Sequence, residues 1–183
     1  MNKRVNLKNI IIGFVISLFV LIADQFTKYL IASNYPQVQR NIFTIIKDFL
    51  YISHTENTGA AWSLFEGQTF ILIVIPVIVL IFAIVFLTWT NRMVLTVPIA
   101  MAIGGGLGNL IDRIVRGKVV DFIDVYIFGY DFPVFNVADI SLVCGMIFLA
   151  IYILFFYKEE KPGFKLPFKI GKKEKTDKEE CDE

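Results

Sequence analysis

Four apolar runs are the feature of this 183-residue chain that most restricts its fold. They cover approximately residues 10–31, 70–88, 93–111 and 140–157. A helix needs about 20 mostly apolar residues to cross a hydrocarbon core roughly 30 Å thick. The backbone of a segment in lipid must satisfy its hydrogen bonds internally, so each run is expected to be helical. We therefore predict an all-α integral membrane protein with four transmembrane helices.

Composition supports this class of protein. Hydrophobic residues make up 56% of the chain and charged residues only 19%, which is too apolar for an ordinary soluble domain of this size. The first run could be a cleavable secretory signal, because basic residues precede it. Its end, Asp24-Gln25-Phe26, does not resemble a small-residue cleavage site. We interpret this run as a retained signal-anchor helix.

Basic residues next to the spans predict the topology. Three precede the first span, Arg92 lies between the second and third, and several lysines follow the fourth. The positive-inside bias then places both termini in the cytoplasm and residues 32–69 and 112–139 in external loops. Residues 1–157 form the membrane domain, and residues 158–183 form a charged cytoplasmic tail. The second loop contains three basic residues that run against the bias and call for a functional explanation: Arg113, Arg116 and Lys118.

In this topology, most polar residues of the spans and their edges collect near the outer membrane boundary. Ionisable groups at membrane depth are costly and usually indicate a functional site. Asp24 and Lys28 are four residues apart on one helix, so a simple ion pair is an alternative explanation for both. The cluster comprises Asp24, Lys28, Asn109, Asp112, Arg113, Asn136 and Asp139.

The glycine-rich stretch GGGLGN, residues 104–109, has a structural explanation. It lacks the full dinucleotide-binding spacing and a preceding strand, so it does not predict a nucleotide site. Gly104 and Gly108 have the spacing that allows two helix backbones to approach closely. We therefore predict helix packing at these glycines, with which close approach of a substrate backbone is compatible.

The second external loop is rich in carboxylates, two of which differ clearly in their surroundings. Asp121 is flanked by apolar residues, which disfavour its ionised form, whereas Asp131 lies in a turn-like GYDFP stretch and is expected to be solvated. Asp121 is therefore the better catalytic candidate. The carboxylates of this loop are Asp112, Asp121, Asp124, Asp131 and Asp139.

Asp139 has two compatible explanations. Asn136 can cap the fourth helix, and an acid three residues later complements the positive end of the helix dipole. Alternatively, two neighbouring carboxylates share a proton, so that one activates water while the other polarises a carbonyl, as in aspartic peptidases. The only histidine, His54, excludes a multi-histidine metal site, and Cys144 is interpreted as a small residue of the helix core.

Five segments follow one another in the order of the motifs of the bacterial lipoprotein signal peptidase family, also called signal peptidase II. They are ADQFTKYL (23–30), NTGAAWSL (57–64), GGGLGNLIDRI (104–114), VVDFI (119–123) and FNVAD (135–139). The resemblance covers about residues 5–157. It implies that Asp121 and Asp139 are the catalytic aspartates of an endopeptidase that cleaves prolipoproteins just before a diacylglyceryl-modified cysteine. It also implies residues that line or support the site: Asp24, Lys28, Asn57, Gly108, Asn109, Arg113 and Asn136.

The resemblance also implies an outer-face β-cradle and a short helix, supplied mainly by the first external loop. The residues FLYISHT, 49–55, have strand-like composition, and Asn57-Thr58-Gly59 is a turn signal. Residues 60–64 are expected to return as the partner strand.

The expected enzyme needs no metal or cofactor and acts in the bacterial cytoplasmic membrane as a monomer. Its partners would be lipid-modified prolipoproteins and membrane lipids, with no nucleic acid. The sequence leaves open which aspartate is the base. It also leaves open whether Arg113 holds a loop or substrate carbonyl or pairs with Asp112 or Asp24. A small proton- or ion-coupled transporter is the alternative, but the inner halves of the spans lack the polar residues of a transport path.

Overall fold

The computed structural model describes residues 6–59 and 64–156, and contains four helices long and apolar enough to cross a membrane. Their bounds are α1 Leu7–Asn34, α2 Thr69–Trp89, α3 Met93–Arg116 and α4 Val137–Ile151, and α4 continues as a π-helical turn, Tyr152–Phe156. Each of the four predicted spans lies on one of these helices. The tail, residues 158–183, lies outside the described residues.

Helix α3 is longer than the predicted third span by five residues. Helix α3 continues beyond its apolar run to Arg116, so Asp112 and Arg113 are helical rather than part of the external loop. Gly117 ends the helix with φ of 72°, a left-handed conformation that glycine adopts without a Cβ clash. Asp139, also assigned to the loop, lies in the first turn of α4.

Helix α3 is the centre of the bundle. More than half of its span is buried, against less than a quarter of each other span, and it packs against all three other helices. Its neighbours contribute to a core of leucine and isoleucine side chains: Leu80, Leu87, Ile99, Ile103 and Leu110.

Helix α1 buries its polar face and exposes its apolar face, the reverse of a helix on a soluble protein. The Ser17 hydroxyl donates to the Ala100 carbonyl at 2.8 Å. The buried positions recur every three or four residues, at Asn9, Gly13, Ser17, Val20, Asp24 and Lys28.

The predicted packing role of Gly104 and Gly108 is confirmed. A Cβ on Gly104 would lie 2.6 Å from the Ser17 carbonyl oxygen, and one on Gly108 would overlap the Asp24 carboxylate. A Cβ on Gly105 would overlap the Ala138 carbonyl of α4. Small residues therefore let α3 approach α1 and α4 at the depth of the polar cluster.

An antiparallel sheet joins the two loops at one end of the bundle. Its strands are β1 Gln39–Ile46, β2 Leu50–Asn57, β3 Val119–Ile127 and β4 Tyr130–Asp131, in spatial order β1-β2-β3-β4. Strand β2 confirms the predicted strand at residues 49–55. Because β2 pairs with β3, the connections α1–α2 and α3–α4 lie at the same end of the helices.

One prediction about the first loop fails. The partners of β2 are β1, which precedes it, and β3, which comes from the second loop, instead of residues 60–64. Of that segment, residues 60–63 lie outside the described residues and Leu64 is in a turn. The short helix expected in this loop stays a prediction, because residues 60–63 lie outside the described residues. Half of the strands therefore belong to the second loop.

Candidate active site

Asp121 and Asp139 come together from different elements. Asp121 is the third residue of β3, and Asp139 is the third residue of α4. Asn136 caps α4 as predicted, because its side-chain oxygen accepts from the Asp139 N–H at 3.0 Å. The Asp139 carboxylate accepts from the Asn136 N–H at 3.1 Å, which completes a capping box. The helix start thus fixes the Asp139 carboxylate.

Three asparagine amides hold the two carboxylates. Asn136 Nδ2 donates to Asp121 Oδ1 at 2.6 Å, so the residue that caps Asp139 also binds Asp121. Asn57 Nδ2 donates to the other Asp121 oxygen at 3.0 Å, and Asn109 Nδ2 donates to Asp139 Oδ1 at 2.7 Å. Each aspartate therefore accepts two N–H donors, and among the described residues neither makes an ion pair with lysine or arginine.

Burial makes Asp121 a weak acid. Only 3% of Asp121 is exposed, and this desolvation, followed by the charge of Asp139, raises its pKa from 3.8 to about 7. The hydrogen bonds from Asn57 and Asn136 and the charge of Lys28 lower the pKa by less than burial raises it. Asp121 can consequently hold a proton near neutral pH, as its apolar flanks predicted.

A buried ionic cluster lies directly behind this pair. The Lys28 ammonium group bonds to Asp24 Oδ2, Asp112 Oδ2 and Asn109 Oδ1, each at 2.9 Å. The predicted pair between Asp24 and Lys28 is confirmed, and the three acceptors use all three N–H donors of the lysine. Lys28 and Asp24 are both fully buried, so the cluster is closed to solvent.

Asp24 also holds the start of α4. Its Oδ1 accepts from the Ala138 N–H at 2.9 Å, the second backbone donor of that helix. Helix α1 therefore holds the start of α4 together with Asn136, and the Asp139 position depends on both. The two residues are 114 positions apart in the chain, so no local motif could have predicted this contact.

Arg113 holds the loop that follows Asn57. Its Nη2 donates to the Gly59 carbonyl at 2.9 Å, which confirms the predicted contact with loop backbone. The alternative of an ion pair with Asp112 or Asp24 was wrong, because Asp112 bonds to Lys28 and to Arg116 Nη1, the latter at 3.0 Å. The guanidinium nevertheless lies close enough to Asp121 and Asp139 to interact electrostatically with both.

A second polar network, which the sequence did not predict, joins the four strands. A bulge at Asn41, with φ of 56°, interrupts the register of β1 and directs the preceding Arg40 across the sheet. Arg40 pairs with buried Asp124 of β3 at 3.3 Å and with Asp131 of β4 at 2.6 Å. The Ser53 hydroxyl of β2 donates to the same Asp124 at 2.7 Å. Asp131 is exposed, as predicted, but it is paired.

Comparisons with known proteins agree with this arrangement. The family model described as signal peptidase (SPase) II matches residues 16–155. Proteins named lipoprotein signal peptidase from Staphylococcus aureus strains JH9 and Newman are each 42% identical over 144 residues, covering 78% of this chain and 87% of theirs. Two solved structures, both described as bacterial membrane enzymes, have TM-scores of 0.75 and 0.72. They are 38% and 39% identical to this chain. The matches cover 89% and 86% of this chain and 99% of each solved chain.

Proposed function

The chain belongs to the signal peptidase II family, and from this premise we propose that Asp121 and Asp139 are its catalytic pair. The protein is a multi-pass membrane peptidase that removes signal peptides in lipoprotein maturation, and family membership gives the transporter alternative no support. The observation that carries the catalytic proposal is Asn136, which binds both aspartates at once. Shared ligation keeps the two carboxylates close enough to interact electrostatically, as in pairs that share a proton.

The surroundings of the two carboxylates differ enough to assign their roles. Each aspartate accepts two N–H donors, but only Asp139 lies at the positive end of a helix, which stabilises a carboxylate. Asp121 is buried, and its pKa is about 7. Asp139 is therefore the general base, and Asp121 is the protonated acid.

The reaction follows from these two protonation states. Asp139 takes a proton from a water molecule, and the oxygen of that water bonds to the scissile carbonyl carbon. At the same time Asp121 gives its proton to the carbonyl oxygen. The tetrahedral intermediate collapses when the proton on Asp139 passes to the leaving nitrogen and a hydroxyl proton returns to Asp121. The products are a carboxylic acid and an amine, both aspartates regain their starting states, and no metal or cofactor is needed.

The position of the pair suits a substrate that is itself anchored in lipid. Asp121 and Asp139 lie where α3 ends and α4 begins, at the edge of the bundle that carries the sheet. A diacylglyceryl-modified cysteine at the membrane surface would present its preceding peptide bond at this depth. We place this end at the outer face of the cytoplasmic membrane, with both termini in the cytoplasm, because of the basic residues at the other end. A monomer contains the whole pair.

The test of the pair is an Asp-to-Asn series. Asp121→Asn and Asp139→Asn should each lower the cleavage rate by a factor of about 10² to 10⁴ without preventing membrane insertion. Asp48→Asn is the matched control, because Asp48 lies in an exposed turn with φ of 59°, which asparagine also tolerates. A folded variant of either catalytic candidate that cleaves as fast as Asp48→Asn would remove that residue from the mechanism.

Substrate class needs a separate measurement. The purified protein in lipid should cut a diacylglyceryl-modified precursor peptide once, before the modified cysteine. Equal rates on the modified and unmodified precursors would contradict the proposed recognition of the lipid.

A further inference from the structure

The far end of the sheet presents a compact group of exposed apolar side chains. The turn between β1 and β2, residues 47–49, and the turn between β3 and β4 lie at the same edge, because the Tyr126 N–H donates to the Phe49 carbonyl at 2.8 Å. Side chains from both turns and the adjoining strand ends form what we call the tip surface: Ile46, Phe49, Ile127, Phe128 and Tyr130.

Phe128 is the most unusual member of the tip surface. It lies with Gly129 in a two-residue hairpin loop in which both residues have positive φ, 49° and 81°. Such loops favour asparagine followed by glycine, and a bulky side chain in a left-handed conformation costs about 1 kcal/mol or more. The Phe128 side chain is nevertheless completely exposed, at 106% of its reference area. No side chain of the described residues covers Phe128, so its ring is available to an apolar surrounding.

Exposed apolar residues recur along the chain from the end of α1 to this tip. Tyr29 and Leu30 are exposed near the end of α1. Beyond them, the rings of Tyr35 and Phe43 pack edge to face with centroids 5.5 Å apart, and Phe43 begins a run of exposed apolar residues along β1. Strand β1 is the edge strand, and seven of its eight residues are exposed. Exposed apolar residues therefore follow the chain from α1 along β1 to the tip surface.

The sheet can stand upright from the bilayer or lie along it, and the two orientations place the tip surface in different surroundings. Strands of eight or nine residues rise about 3.3 Å per residue, so an upright sheet would hold its tip roughly 26 Å from the helix ends, in water. Exposed aromatic residues are instead typical of the membrane interface, where their rings lie at headgroup level. Lys47, exposed beside Ile46, suits the anionic headgroups of that layer.

We propose that the sheet reclines on the bilayer and that the tip surface inserts into the headgroup region of the leaflet at this end of the bundle. The partner is thus the phospholipid interface of the same membrane that the helices span. The proposal rests on the membrane-spanning fold and not on the catalytic assignments. A reclining sheet would place its far edge beside lipid, where a lipid-bearing substrate approaches.

The test is a depth measurement on the full chain. Phe128→Cys is combined with Cys144→Ala and Cys181→Ser, spin-labelled, and placed at one copy per nanodisc of phosphatidylethanolamine and phosphatidylglycerol. Collisions with oxygen and with a water-soluble nickel complex then report depth. Phe82→Cys, on an exposed position in the middle of α2, is the acyl-chain standard, and the free label in buffer is the water standard.

The expected result is a label at position 128 that loses most of its collisions with the nickel complex and gains oxygen collisions, as at an interface. Nickel collisions equal to those of the free label would mean that the sheet stands upright and would overturn the proposal. Spin–spin broadening that grows with the number of copies per disc would assign the surface to a second copy, which also overturns it.

A second variant separates membrane contact from folding of the hairpin. Phe128→Asn suits the positive-φ loop, so the turn should remain, but the membrane anchor is lost. A label at Ile46→Cys, in the same cysteine-free background, should then gain several-fold in nickel collisions. Phe128→Trp is the matched control and should leave that label protected. An unchanged Ile46→Cys label in the Phe128→Asn protein would contradict the anchoring role of Phe128.

Discussion

Two clusters of acidic groups lie side by side at one end of the helix bundle, and their hydrogen-bond partners are of different kinds. In the ionic cluster, Asp24 and Asp112 share the ammonium group of Lys28, and Arg116 adds a second cation to Asp112. In the proposed catalytic pair, Asp121 and Asp139 receive only neutral N–H donors. Asn109 joins the two, because its oxygen accepts from Lys28 while its amide donates to Asp139.

This difference suits the ionic cluster to holding the helices together and the proposed catalytic pair to reacting. Each carboxylate of the ionic cluster has a cation as its partner, and these bonds connect α1, α3 and the start of α4. The catalytic pair has more negative charge than its immediate donors neutralise, and this favours retention of a proton. The predictions below test this contrast by removing charge from one cluster at a time, and are given from the largest expected effect to the smallest.

Lys28→Met should have the largest effect. It would leave Asp24 and Asp112 buried without their shared cation, and breaking a buried ion pair in this way costs about 3–5 kcal/mol. We expect little folded protein, measured as thermal unfolding of whatever can be extracted in detergent. Lys118→Met is the matched control, since Lys118 forms a partly exposed pair with Glu56. Equal stability of the two variants would show that the ionic cluster does not hold the bundle.

The pH dependence of stability should report the catalytic pair. The folded-state pKa of Asp121 is raised from 3.8 to about 7, so its proton favours the folded state at low pH. This stabilisation is complete below the unfolded pKa and is lost as pH rises through about 7. Between pH 5 and 8 the loss attributable to Asp121 is up to about 3 kcal/mol, since one pH unit corresponds to about 1.4 kcal/mol.

The measurement is thermal unfolding at several pH values for the wild type and Asp121→Asn. The wild type should lose stability over this range by more than the variant does, because asparagine does not titrate. Its cleavage rate should also fall above pH 7 as Asp121 loses the proton that it donates. Parallel stability curves for the two proteins would contradict the raised pKa.

Gly108→Ala should have an intermediate effect. The added methyl group would overlap the Asp24 carboxylate that bonds to Lys28 and caps α4, and overpacking of this kind costs about 1–3 kcal/mol. Gly106→Ala is the matched control on the same helix, because its methyl group would meet only the end of the Leu80 side chain, at 3.0 Å. Lower stability and slower cleavage are expected for the first variant alone. If both alanines are tolerated equally, close approach at Gly108 does not position the site.

The features that the sequence could predict depend on residues that lie close together in the chain. The four spans come from apolar runs, the cap at Asn136 from three-residue spacing, and the ion pair of Asp24 and Lys28 from four-residue spacing. Each is a local signal. The catalytic pair itself was inferred from family motifs and the apolar flanks of Asp121, and its roles remain proposals.

The remainder depends on contacts between distant segments. Strand β3 has no alternating pattern, because its first four residues are all buried, so its apolar run did not predict a strand. Helix α3 extends past its apolar run, where Asp112 pairs with Lys28, a residue 84 positions earlier in the chain. Hydropathy cannot detect such a partner. The reach of Arg40 to Asp124 likewise depends on a bulge that has no clear sequence signal.

Arg116→Gln should have the smallest effect and marks the edge of the ionic cluster. Arg116 bonds to the same Asp112 as Lys28, but its side chain is 32% exposed, so water can replace it. Partly exposed pairs of this kind contribute at most about 1 kcal/mol, and less in high salt. We expect near-wild-type cleavage and a small loss of thermal stability that disappears in high salt, against the large loss for Lys28→Met. A loss as large as that of Lys28→Met would mean that Asp112 needs both cations, and that the ionic cluster reaches the surface of the bundle.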